Sequence, residues 1–596
     1  MKVFLKQVVA GLAVIAVCIA ILGLVLVGLI VGLKAKTLSV KKGSILVFNM
    51  SVNITDGPSG FDAQQAVEDA VMGEGSPESV RLYPLLRGLE KAATDERISG
   101  VFLQGSFAPR GYGTGYAALR ELRAAMEKFK QSGKPIHAYL VNPTTRDYYL
   151  ASVANSLVLH PQGLVLFNGL VAETTYYAGA LEKYGVGMQV VRVGKYKSFV
   201  EPFIRTNMSP ESREQTKQLL GAVWDEILLD IARNRQLDAR QIQTLMDKAE
   251  GFKPADASAR KLVDKLAYFD EELAELKKIS GQTAEEETFP QVELGSYAAV
   301  ALKHEHKSAN KIAVVYAEGP IMDGVGGPGM VGGDSVARQI REVRQDKSVK
   351  AIVLRVNSPG GSATASDVIH RELALAKSNK PVVVSMGTVA ASGGYWISAG
   401  SYRIFAEPNT ITGSIGILGM MPNVKELANR HGITWDSVKT SKYADVLKIS
   451  RPKTPEEMAL FQDLINDGYE KFVQLVAAGR NKTKEAVLEI AQGRVWSGRD
   501  AEKIGLVDEL AGLEKAIAYA AQRANLGTDW SVMELPEEKG LLQQVSEMLG
   551  GEKKPVARVD PISSLLREVG EDLQTVRSLN DPAGIYALTP ELFRIQ

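Results

Sequence analysis

From Val8 to Leu33 the chain runs 26 residues without a charge, with Lys2 and Lys6 before the run and Lys34, Lys36, Lys41 and Lys42 after it. As a helix this stretch spans about 39 Å, enough to cross a hydrocarbon core about 30 Å thick. A cleavable secretory signal has an apolar stretch of about 7–15 residues ending at a small-x-small site. This run continues into Lys34-Ala35-Lys36 instead, so the pattern predicts an uncleaved anchor. Lysines at both ends leave its orientation open. Beyond it the pattern changes to short β-branched runs, such as Ile312–Tyr316, Ile352–Val356 and Val382–Ser385, alternating with helical stretches such as Ala363–Ala376. That alternation predicts α/β domains built from βαβ units.

The pattern also repeats. Asp95-Glu-Arg-Ile-Ser-Gly-Val-Phe-Leu reads like Asp346-Lys-Ser-Val-Lys-Ala-Ile-Val-Leu, and each is followed by an amphipathic helical stretch and a Lys-Pro (Lys134-Pro135, Lys380-Pro381) that opens a β-rich run. Ala259-Arg-Lys-Leu-Val-Asp264 answers Glu502-Lys-Ile-Gly-Leu-Val-Asp508. The offset drifts from 251 to 244 positions, as small loop insertions allow, and marks a duplication. The predicted organisation is a short flank 1–7, an anchor 8–33, a first α/β repeat 43–276, a linker 277–310, a second α/β repeat 311–524 and a tail 525–596. Residues Asp56–Glu78, rich in Gly, Asp and Ser, read as a mobile loop.

Composition narrows the classes. Seventy Lys+Arg against 69 Asp+Glu leave a net charge of +1, which argues against a nucleic-acid partner. Forty-five per cent apolar and 23% charged residues fit a globular chain. A single cysteine, Cys18, excludes an intrachain disulfide framework and a Cys-based zinc site. No Walker A or HExxH pattern occurs, and neither metal nor cofactor is expected.

Candidate chemistry lies in two Gly-rich loops of the second half, Asn357-Ser-Pro-Gly-Gly361 and Ala390-Ala-Ser-Gly-Gly-Tyr-Trp396. A serine at a strand-to-helix turn among small residues makes a nucleophile, and amide N–H groups beside it make an oxyanion hole. Glycines also simply make tight turns. The base is not evident: the histidines (His137, His160, His304, His306, His370, His431) stand in no triad-like pattern. A lysine serves only if burial keeps it neutral.

Asn357-Ser-Pro-Gly-Gly, Ser385-Met-Gly-Thr-Val-Ala-Ala-Ser-Gly-Gly-Tyr-Trp-Ile-Ser, Thr412-Gly-Ser-Ile-Gly and Gly194-Lys-Tyr-Lys-Ser-Phe-Val-Glu-Pro-Phe resemble the long, duplicated form of the signal peptide peptidase A (protease IV) family. The resemblance runs from the anchor to Asn580-Asp-Pro. It implies two tandem Clp protease/crotonase-like α/β domains behind one N-terminal transmembrane helix. It also implies a serine endopeptidase with Ser392 as nucleophile, Lys197 as general base, Gly361 and Ser392 at the oxyanion hole, and Ser414 holding the lysine amine. Remnant signal peptides as substrates, membrane lipid around residues 8–33, a homotetramer, and extracytoplasmic domains on a bacterial inner membrane follow from the same resemblance. The repeat adds a check. Aligning the Lys-Pro pairs puts Arg146 opposite Ser392, and aligning Tyr184-Gly185 on His431-Gly432 puts Ala444 opposite Lys197. Each half holds one member of the pair, although Lys195 competes for the base. A crotonase-like acyl-CoA or thioester enzyme and a non-enzymatic membrane scaffold are the alternatives.

Overall fold

The computed structural model describes residues 40–58, 78–303, 307–536 and 585–589. The predicted anchor 8–33, Cys18, His304, His306 and residues 537–584 of the predicted tail lie outside the described residues. Among the described residues no helix is long and apolar enough to cross a membrane.

The first half is built on a parallel sheet in the order Lys265–Leu266, Ser156–Leu159, Ile136–Leu140, Ile98–Gln104, Ser44–Asn49, Gln291–Glu293. The inner strands are continuous apolar runs because helices cover both faces. In the helix Leu82–Thr94, Leu82, Leu85, Leu86, Leu89 and Ala92 face inward at helical spacing.

The second half repeats this plan. Glu509–Leu510, Arg403–Ala406, Val382–Ala391, Val349–Ser358, Lys311–Glu318 and Ser531–Leu535 lie side by side in the same chain order, all parallel. One difference is decisive for chemistry. The strand equivalent to Ile136–Leu140 runs on to Ala391, and its extension pairs with Ile411–Gly413, which in turn pairs with Val495–Ser497.

Three segments differ from the sequence reading. The stretch 277–310, expected to be a linker, contains the edge strand Gln291–Glu293 and the helix Leu294–Lys303, whose Leu294, Tyr297 and Ala298 are buried. The tail from 525 begins with the matching edge strand Ser531–Leu535. Each repeat therefore closes with a strand that was too short, or too far along the chain, to show its period. Asp56, placed in a mobile loop by composition, is buried at the joint between the repeats.

Arg355 fixes that joint. Its Nε lies 2.7 Å from Asp56 Oδ1, its Nη2 2.6 Å from Glu121 Oε1 and its Nη1 2.8 Å from Ser385 Oγ. Arg355 belongs to the second half and both carboxylates to the first. All three side chains are shielded from solvent, so separating the halves would strand buried charge.

A third sheet joins the halves directly. Gly187–Val193 of the first pairs antiparallel with Ile417–Asn423 of the second over seven residue pairs, from Ile417 opposite Val193 to Asn423 opposite Gly187. On the other side of Ile417–Asn423 lies the short strand Ile585–Leu588, which also pairs antiparallel with Gly360–Ser362.

Candidate active site

Ser392 follows the long strand Val382–Ala391 and precedes the short helix Gly393–Ser398. Its backbone sits at φ 55°, ψ −113°, a conformation that non-glycine residues rarely adopt and that marks a held, functional turn. The two glycines that follow allow close packing: a Cβ on Gly394 would stand 2.6 Å from Ser358 O, and one on Gly393 3.0 Å from Gly360 Cα. The Ser392 side chain is thereby aimed away from its own strand, toward the loops of the third sheet.

Lys197 arrives from the other repeat. Val193 pairs with Ile417, so the residues just after Val193 and those just before Ile417 are brought together by one ladder. Lys197 Nζ lies 2.7 Å from Ser392 Oγ, 3.0 Å from Ser414 O and 3.1 Å from Ser414 Oγ. Lys197, Ser392 and Ser414 are all completely buried. Burial holds the Lys197 amine well below the ordinary lysine range, with no charge among the described residues restoring the ammonium. A neutral amine has one lone pair and two N–H donors. The contacts to Ser392 Oγ, Ser414 O and Ser414 Oγ equal that inventory in number.

Lys195, the competing lysine, is exposed, with its ammonium 5.1 Å from the centre of the Tyr196 ring. The described histidines are elsewhere: His137 bonds Glu272 at 2.7 Å, His160 packs edge-on against Tyr268, His370 lies beside Gly400, and His431 ends a surface helix. Arg146, opposite Ser392 in the repeat, stacks over Tyr116, and Ala444 lies in an exposed loop.

The Ser392 N–H donates to Gly413 O at 2.8 Å, continuing the sheet, and the amide that follows it is that of Gly393. Two supporting residues were not foreseen. Gln215, on the helix Pro210–Arg235, donates to Tyr196 O at 2.9 Å and accepts from Val495 N at 3.3 Å, tying the lysine loop to the second repeat. Gly493 lies against Lys197: a Cβ there would stand 2.8 Å from Lys197 Cβ and 2.9 Å from its N. A glutamine on a polar helix and a glycine in a turn carry no signal of such contacts in the sequence.

Ser392, Lys197 and Ser414 thus meet, buried, where the two repeats join. The chain belongs to peptidase family S49, whose model matches twice, over residues 128–283 and 374–527, once in each half. The Clp protease family model matches residues 332–412. Protease 4 of Salmonella typhi is 38% identical over 91% of this chain and 89% of its own length. Protease 4 of Haemophilus influenzae is 34% identical over 93% and 92%. The chloroplastic serine protease SPPA of Arabidopsis thaliana is 32% identical over 82% of this chain and 70% of its own. The chain is thus a serine peptidase of the long, duplicated kind, with a Clp protease-like α/β fold.

Proposed function

We propose that this chain is a membrane-anchored endopeptidase in which Lys197 is the general base for Ser392. The observation that carries the reading is the 2.7 Å separation of the Lys197 amine and the Ser392 hydroxyl in a site closed to solvent. The neutral amine accepts the Ser392 proton as Oγ attacks a peptide carbonyl carbon. The N–H groups of Gly361 and Gly393 receive the negative oxygen. When the C–N bond breaks, the Lys197 ammonium returns the proton to the leaving amine. The same amine then activates water to hydrolyse the acyl ester. Ser414 accepts the N–H bonds of the amine throughout and keeps its lone pair on the serine.

The apolar run 8–33 supports anchoring in a bacterial inner membrane, with the catalytic domains on its outer face. Cleaved signal peptides left in the bilayer are the substrates that such a placement and the family resemblance favour.

Internal repetition supports self-association into a closed ring, a tetramer on the family resemblance. The single chain uses Gly187–Val193 of the first repeat and Ile417–Asn423 of the second at its joint. By the repeat alignment their counterparts are residues 434–440 and 170–176, which form no strand, and which expose Val438 fully and Val171 by 57%. A second copy offers each of these segments a pairing strand, head to tail.

Peptide cleavage by the detergent-solubilised protein tests the dyad. Ser392→Ala and Lys197→Ala should each lose about 10³–10⁶-fold in rate, with the double variant no worse than either single. Lys195→Ala should stay active. Activity surviving in Lys197→Ala, or lost in Lys195→Ala, would overturn the assignment.

A further inference from the structure

The strand that carries Ser392 is interrupted just before it reaches the serine. Val356 pairs with Met386 and Ser358 with Ala390, so Asn357 alone stands opposite Gly387, Thr388 and Val389. Extra residues of this kind bend a strand, break its ladder and re-aim the side chains beyond. Beyond the break lie Ala390, Ala391 and the Ser392 turn on one strand, and Ser358 and the loop to Gly361 on the other. A bridge across the gap therefore sets how the serine turn and the Gly361 loop stand to each other.

The Asn357 side chain is that bridge. Its Oδ1 accepts from Val389 N–H at 3.2 Å, and its Nδ2 donates to Tyr112 O at 3.2 Å and to Glu318 Oε1 at 3.3 Å. A side-chain amide has one carbonyl oxygen and two N–H donors, so these bonds engage all three and fix which way the group faces. Asn357 is only 2% exposed. Glu318 stands opposite Asn357 on the neighbouring strand, and the first repeat holds it there: its carboxylate accepts from Gly57 N–H at 2.8 Å and from Asp56 N–H at 3.1 Å. The first repeat also covers the interruption. A Cβ on Gly387 would stand 2.7 Å from Asp56 Oδ2, and one on Gly115 2.1 Å from Thr388 Oγ1. The first repeat thus reaches the serine strand at a second place, apart from Lys197.

We propose that Asn357 is a positioning residue for peptide cleavage: through Val389 it holds the Ser392 turn in register with the Gly361 loop, and Glu318 and the first-repeat carbonyl of Tyr112 hold Asn357. This rests on the Ser392–Lys197 reading above. The serine oxygen and the Gly361 N–H must meet on one tetrahedral centre, so a shift between the two loops weakens a contact that forms fully only in the transition state. Asn357→Asp keeps the shape and the acceptor for Val389, but replaces both donors by an oxygen facing the Glu318 carboxylate and the Tyr112 carbonyl. Asn357→Ala removes the bridge outright.

Steady-state peptide cleavage by the detergent-solubilised full-length protein tests this, with Ser392→Ala and Lys197→Ala measured alongside. Asn357→Asp should lower kcat about 10²-fold, the cost of a displacement near 1 Å, while KM stays at the wild-type value. Asn357→Ala should lose a comparable factor and Glu318→Gln severalfold less. Combining Glu318→Gln with Asn357→Ala should cost no more than Asn357→Ala alone, because Glu318 acts through the amide. Should Asn357→Asp not fold, the Ala and Gln variants read the same two signatures. An undiminished kcat in Asn357→Ala, a loss carried by KM, or additive losses in the double variant overturns the proposal, and with Ser392→Ala and Lys197→Ala inactive the peptidase reading still stands. Cleavage surviving in Ser392→Ala or Lys197→Ala sinks that reading itself.

Discussion

The Lys197 amine lies in a site without a counter-charge among the described residues, and this has two measurable results. As a base it works only when neutral, so kcat/KM should rise with pH through the depressed Lys197 value and level off above it, well short of the ordinary lysine range near 10.4. The same burial bears on stability. Between the folded and unfolded values the unfolded chain binds the extra proton, so stability increases with pH across that window. Below the folded value the native state must bury an ammonium at full cost. Lys197→Met keeps most of the volume and removes the charge. It should be inactive yet melt at a higher temperature than the wild type near neutrality, with the gap closing toward pH 10. Equal melting temperatures across that range would show that the amine is not desolvated. At this scale the sequence was informative about identity but not about contact. The family resemblance named the pair and the losses at Arg146 and Ala444 agreed with it, with Lys195 still competing, whereas the engaged N–H of Ser392 became evident only from its bond to Gly413.

Among the elements, the ladder between Gly187–Val193 and Ile417–Asn423 sets the position of the amine, and the turn around Gly493 presses on it from behind. Gly493 adopts φ +73°, and an added Cβ would meet Lys197 backbone. Gly493→Ala should therefore shift the amine and lower peptide cleavage about 10²-fold, the cost of a displacement near 1 Å, while circular dichroism stays that of the folded chain. Undiminished activity would mean that the lysine loop is held by Gln215 and the ladder alone. The parallel strands were legible in the sequence because each is a local apolar run: Ile312–Tyr316 became Lys311–Glu318, Ile352–Val356 became Val349–Ser358, and the helix Ala363–Ala376 became Ala363–Lys377. The third sheet was not legible. Its strands are scattered between residues 187 and 588, and strands such as Ile321–Met322 or Gly360–Ser362 are too short to show a period of two.

For the whole molecule, the duplication was visible in the sequence, and both sheets share one strand order. The assembly proposed from it is open to a simple measurement. Val438→Glu places a charge on the segment offered to a neighbouring copy, and its particle mass in detergent should fall below that of the wild type. An unchanged mass would show that copies meet elsewhere. The division of the dyad between repeats has a further consequence for how the enzyme is made. Amine and hydroxyl are 195 residues apart in the chain, so at synthesis rates of about 5–20 residues per second the first emerges roughly 10–40 s before the second. On the proposed dyad the nascent chain has no cutting power throughout that interval, and gains it only when the two halves have docked.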